Sequence, residues 1–107
     1  MDVRMDGRNA IITGGSRGLG RAMAMRFAES GAGVAIVARR EDVLAATKAE
    51  IEAAAPSAAV ITCTADVSSA DGVKSAFDQA INGLGQIDIV VNNAGSSMAR
   101  PFEEVTD

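Results

Sequence analysis

The chain has 107 residues, of which 48% are apolar and 22% charged, enough for one small soluble domain and no more. A net charge of -4 and a pI of about 4.7 speak against a nucleic-acid surface, which needs a basic stripe. Cys63 is the single cysteine, so no intrachain disulfide can form, and a reducing, cytoplasmic setting is expected. No apolar run approaches the roughly 18 residues of a membrane span, and MDVRMDGR has no apolar signal core.

The elements alternate. NAIIT (9–13) is a short apolar strand that runs into the glycine-rich stretch TGGSRGLG. From there Leu19, Ala22, Met23 and Phe27 recur at the spacing of one helical face, and Gly31 is a helix stop. GVAIVA (33–38) reads as a second buried strand. The stretch 41–55 is a helix with Leu44, Ile51 and Ala55 on one side, ended by Pro56. AVITCTA (59–65) is a third strand, closed by Asp66.

The next helix has the clearest period, with Val73, Ala76, Phe77, Ala80, Ile81 and Leu84 on one face. Ser68 or Ser69 can cap its start, and Gly83 or Gly85 its end. IDIVVN (87–92) is a fourth strand; a loop follows, with a further helix expected near Phe102. Continuous apolar strands alternating with helices predict a parallel, doubly wound α/β sheet. Right-handed crossovers favour the strand order 3-2-1-4, with a ligand-binding switch point between strands one and four.

Four short motifs lie where strands end. Gly14, Gly18 and Gly20 sit between a strand and a helix, where glycine permits a tight turn and close approach of a phosphate. The helix N-terminus, Arg17 and the Ser16 hydroxyl suit a pyrophosphate. The spacing is neither G-x-G-x-x-G nor a P-loop. At the end of strand two, roughly 20 residues on, an NAD site places an acid. Here Ala38 stands there, followed by Arg39 and Arg40. Guanidinium groups grip a ribose 2′-phosphate, so these residues favour NADP(H) over NAD(H). The alternative is a pair of solvated charges neutralised by Glu41 and Asp42.

Asp66-Val67 ends strand three, where a carboxylate either accepts from an adenine amino group or caps the helix that follows. Asn92-Asn93-Ala94-Gly95 ends strand four, and either ties adjacent loops beside a ribose or is simply a turn.

TGGSRGLG, ARR, DV and NNAG, in that order, together resemble the short-chain dehydrogenase/reductase family, in its TGxxxGxG and NNAG subgroup, over essentially the whole chain. PFEEVTD is similar to that family's lead-in to its next helix. The resemblance implies a Rossmann-like oxidoreductase acting on a small carbonyl or alcohol, with the 3-oxoacyl reductase kind as one candidate. It implies that Gly14, Ser16, Arg17, Gly18, Leu19 and Gly20 wrap the pyrophosphate and the neighbouring ribose. Arg39, with Arg40 beside it, would select NADP(H). Asp66 and Val67 would contact adenine, and the segment with Asn92, Ala94 and Gly95 would lie by the ribose. Thr13 matches the threonine that ties strand one to that segment.

The family's serine, Tyr-x-x-x-Lys pair and helix asparagine lie downstream of NNAG, and this chain has no tyrosine. Ser96 and Ser97 stand too early to be the catalytic serine, though either could line the pocket near the nicotinamide. No catalytic residue is therefore expected within 1–107, which reads as the N-terminal dinucleotide-binding half of one domain, truncated after strand four and inactive alone. The alternatives are a non-catalytic NADP(H)-binding module or a fragment that needs its C-terminal half. The resemblance also implies a homo-oligomer at full length, with no membrane or nucleic-acid partner.

Overall fold

The computed structural model describes residues 5–93. In chain order these form β1 (Asn9–Thr13), α1 (Gly18–Glu29), β2 (Gly33–Ala38), α2 (Glu41–Ala54), β3 (Val60–Thr64), α3 (Ala70–Leu84) and β4 (Ile89–Asn92). The four strands make one parallel sheet in the order β3-β2-β1-β4, as the alternation predicts. The expected helix near Phe102 lies outside the described residues.

Residue parity within each strand divides the core in two. Ile12, Val34, Ile36 and Val60 face α1 and α2, where Ala24, Ala28, Leu44 and Ile51 meet them. Ile11, Ala35, Val37 and Cys63 face the opposite way, against Ala76 and Ala80 of α3. Strands buried on both sides cannot alternate apolar with polar residues, which is why they read as unbroken apolar runs. The two helical layers follow from right-handed crossovers made in opposite directions from β1.

Two helices seat themselves differently from the periodicity. In α1 the buried residues are Gly20, Ala24 and Ala28. Of the expected face, Leu19 is 68% exposed and Met23 and Phe27 are only partly buried. Small residues four apart let the helix axis come close to the sheet, and larger side chains are pushed to the flanks of that contact. In α3, Ala76 and Ala80 are buried while Val73 and Ile81 are 39% and 45% exposed. That helix lies over β3, β2 and β1, and Val73 and Ile81 flank the contact. Leu44 and Ile51 of α2 are buried as expected, with Ala55 at the C-cap and half-buried.

The caps are also resolved. The Ser69 hydroxyl, rather than Ser68, accepts the Gly72 N–H at 3.0 Å, and Gly85 caps the far end of α3. Ser69→Ala should lower stability by about 1 kcal/mol, read as a lower urea midpoint with an unchanged slope.

Cys63 is fully buried in the α3-side core. Burial pushes its thiol up from 9.0 to about 11. Between those two values the unfolded chain releases a proton that the folded chain retains, so stability should fall as pH rises through this window. Urea midpoints at pH 8 and pH 10.5 measure it, and a thiol reagent at pH 8 should label the chain only on unfolding.

Candidate functional site

Parallel strands bring the ends of β1, β2, β3 and β4 to one edge of the sheet, and the crossover direction reverses between β1 and β4. That reversal opens a crevice above the carboxyl ends of the strands. A shallow concavity of about 640 Å³ exists at the opposite edge, lined by Arg8, Asn9, Gly33, Ala58 and Ala59 among others. It holds none of the residues singled out by the motifs.

The glycine loop leaves β1 at Gly14, whose φ of +71° favours glycine. The Gly14 N–H donates to the Val37 carbonyl at 2.9 Å, which ties the loop to β2. Gly20 is buried against the Gly14 carbonyl and the Asn93 side chain, so that a Cβ there would collide with both. Gly15 has a different duty. A Cβ on it would stand 2.8 Å from Ile36 Cγ2, so this glycine serves the packing of loop on sheet.

The start of α1 is open. Its N-cap, Arg17, makes no side-chain capping hydrogen bond, and its first turn carries no acid. By contrast α2 has Glu41 and Asp42 in its first turn, and α3 has Asp71 and the Ser69 cap. An α-helix leaves its first N–H groups without helical partners and carries partial positive charge there. The first helical bond of α1 runs from the Arg21 N–H to the Arg17 carbonyl at 3.0 Å, so Gly18, Leu19 and Gly20 present their N–H groups ahead of it. Ser16 is half-buried, while Arg17 and Gly18 are exposed beside it. A glycine-rich loop leading into an uncapped helix fits a pyrophosphate.

Thr13 joins β1 to the end of β4. Its hydroxyl proton faces Asn92 Oδ1 at 3.0 Å and the Val91 carbonyl at 3.4 Å, and its oxygen accepts the Asn93 N–H at 3.0 Å. Asn92 is thereby engaged with β1, and it is the Asn93 amide that reaches Gly20. The motif reading named the Asn92–Gly95 segment as a tie between loops, but placed Asn92, Ala94 and Gly95, not Asn93, by the ribose. Strand alternation was the available signal, since neighbouring residues point to opposite faces. Ala94 and Gly95, with Ser96 and Ser97, lie outside the described residues.

The two arginines after β2 separate. Arg40 donates to Asp42 from Nη2 at 2.9 Å and from Nε at 3.3 Å. Arg39, with its side chain 74% exposed, stands 3.7 Å from Asp66 Oδ2. Asp66 is held in turn by Ser68, whose hydroxyl and N–H donate to Oδ1 at 2.7 and 3.0 Å. Those bonds, with Arg39 adding a smaller share, keep its carboxyl below the usual carboxylate range. Asp66 therefore closes a turn ahead of α3 without being its N-cap, and Val67 is half-buried beside the core.

Thr13→Val keeps the shape of the side chain but strands the Asn93 N–H. The expected loss is about 1–3 kcal/mol of unfolding free energy, measured by urea denaturation, with thermal melts as a second readout.

Residues 8–107 match the family model for short chain dehydrogenase. The chain is 37% identical over 102 residues to a glucose 1-dehydrogenase of Gluconobacter oxydans, covering 95% of this chain and 38% of that protein. L-sorbose reductase from Gluconobacter frateurii, solved with NADPH and L-sorbose, superposes with a TM-score of 0.82 at 33% identity, over 97% of this chain and 41% of that one. A 7α-hydroxysteroid dehydrogenase complexed with NADH and 7-oxo glycochenodeoxycholic acid superposes with a TM-score of 0.78 at 34% identity, over 85% and 35%. The chain thus spans less than half the length of these relatives. With the strand order, the glycine loop and the Thr13 tie all in place, the chain belongs to the short chain dehydrogenase family.

Proposed function

We propose that residues 1–107 are the dinucleotide-binding half of a single Rossmann-like domain, in an oxidoreductase that moves hydride between a nicotinamide and a carbonyl or alcohol. The observation that carries this is the open start of α1, reached through a loop in which Gly20 rests on the Gly14 carbonyl. Gly14, Ser16, Arg17, Gly18, Leu19 and Gly20 would hold the pyrophosphate. Asp66 and Val67 would lie by the adenine, and Asn92, Ala94 and Gly95 by the ribose. The bound nicotinamide would supply the hydride chemistry, while these residues would bind and orient it.

Within that reading the cofactor is NADP(H). The support is Arg39, whose guanidinium is exposed at the end of β2 where Ala38 replaces an acid. Arg40 supports it less, because Asp42 already engages its Nε and Nη2 donors. Likeness of fold carries no weight on this point, since one neighbour was solved with NADPH and another with NADH. The substrate class stays at a small carbonyl or alcohol. A 3-oxoacyl substrate is one member of that class, as are the glucose and L-sorbose named for the relatives.

The family resemblance implies a tyrosine as the acid that protonates the alkoxide, and none occurs in the 107 residues, so that acid would come from chain beyond them. No described helix is long and apolar enough to cross a membrane. A cytoplasmic setting and self-association at full length belong to the proposal, without nucleic-acid partners at a net charge of -4.

Titration with NADPH and NADH, followed by nicotinamide fluorescence, tests this. NADPH should bind more tightly. Arg39→Asp should erode that advantage by about 10–100-fold, the worth of a charge-assisted hydrogen bond. Equal affinities in the parent protein would end the NADP(H) assignment, and no binding of either would end the dinucleotide reading.

A further inference from the structure

We propose that Asp66 is a positioning residue for Arg39, and that through Arg39 it sharpens the preference for a cofactor bearing a ribose 2′-phosphate. The inference rests on the NADP(H) reading above. Arg39 is an exposed side chain on a long stem, and ordering it around a phosphate costs rotamer freedom. A fixed charge nearby narrows the set of orientations before any ligand arrives.

Asp66 has the geometry of such a charge. Its Oδ1 accepts twice from Ser68, at 2.7 and 3.0 Å, so the carboxylate cannot turn freely. That leaves Oδ2 directed at Arg39 Nη1. The separation of 3.7 Å is longer than a hydrogen bond, so the carboxylate draws the guanidinium without consuming its N–H donors. Arg40 shows the other outcome, since Asp42 takes its Nε and Nη2 at hydrogen-bond distance. The backbones are also locked together here, because the Ala65 N–H donates to the Ala38 carbonyl at 3.0 Å, beside both residues. Ser68, Asp66 and Arg39 thus form a relay from the start of α3 to the end of β2.

This role is separable from contact between Asp66 and adenine. Adenine is common to both cofactors, so losing that contact weakens NADPH and NADH alike. Losing the hold on Arg39 weakens NADPH alone. The readout is therefore the ratio of the NADH to the NADPH dissociation constant, measured on the parent protein and its variants. Asp66→Asn should lower the ratio by about threefold, the scale of an exposed ion pair. Ser68→Ala, which frees the carboxylate but leaves its charge, should lower it by about twofold. Adding Asp66→Asn to Arg39→Asp should change the ratio no further, because the two residues act as a unit.

An unchanged or raised ratio in both single variants, while Arg39→Asp still collapses it, would overturn the positioning role and leave the NADP(H) reading standing. A parallel loss for both cofactors in Asp66→Asn, with no shift in Ser68→Ala, would assign Asp66 to adenine alone. If Arg39→Asp left the ratio intact, the NADP(H) reading would fall, and this inference with it. Should Asp66→Asn fail to fold, Ser68→Ala decides.

Discussion

Gly20 resting on the Gly14 carbonyl is the contact on which the rest of the site depends. It brings the first turn of α1 up against the end of β1 and beside the Asn93 amide. The distance leaves no space for a side chain. Because the helix begins there, its unbonded N–H groups arrive at the one place where the sheet reverses its crossover direction. The open, positively polarised start of α1 is thus a by-product of close packing, with polarity supplied by the backbone.

That closeness propagates along α1. A helix seated on Gly20 continues inward at Ala24 and Ala28, and larger residues are turned aside. Met23 and Phe27 pack at the edge of the core, and Leu19 stands out beside the crevice. The Thr13 hydroxyl completes the frame from the other side, joining β1 to Asn92 and Asn93. At the far end of β1, Asn9 repeats the device. Its amide donates to the Gln86 carbonyl at 3.0 Å, and its N–H donates to Asp88 at 2.8 Å. Strand β4 is therefore tied to β1 by side chains at both ends as well as by the ladder.

The electrostatics are divided in a similar way. Arg39 and Arg40 are adjacent in sequence and identical in chemistry. The turn into α2 gives Arg40 to Asp42, while the β2–β3 pairing places Arg39 near Asp66. One cation is held at hydrogen-bond distance and the other stands 3.7 Å from its carboxylate. No list of motifs distinguishes them, because the difference lies in which carboxylate the neighbouring strand delivers.

Much of this was legible in the sequence by itself. The four apolar runs, their alternation with helices and the edge at which the motifs gather follow from local periodicity and a parallel sheet, while crossover handedness only narrows the strand orders to a few that include the observed one. The Thr13 tie was legible only through the family resemblance. The sequence left open which serine caps α3, which asparagine reaches Gly20, which arginine stays available and which residues of α1 face inward. Each of these is settled by distance across the fold. Periodicity identifies a face, but the axis of a helix shifts within that face until small residues meet, and only the assembled sheet decides where that is.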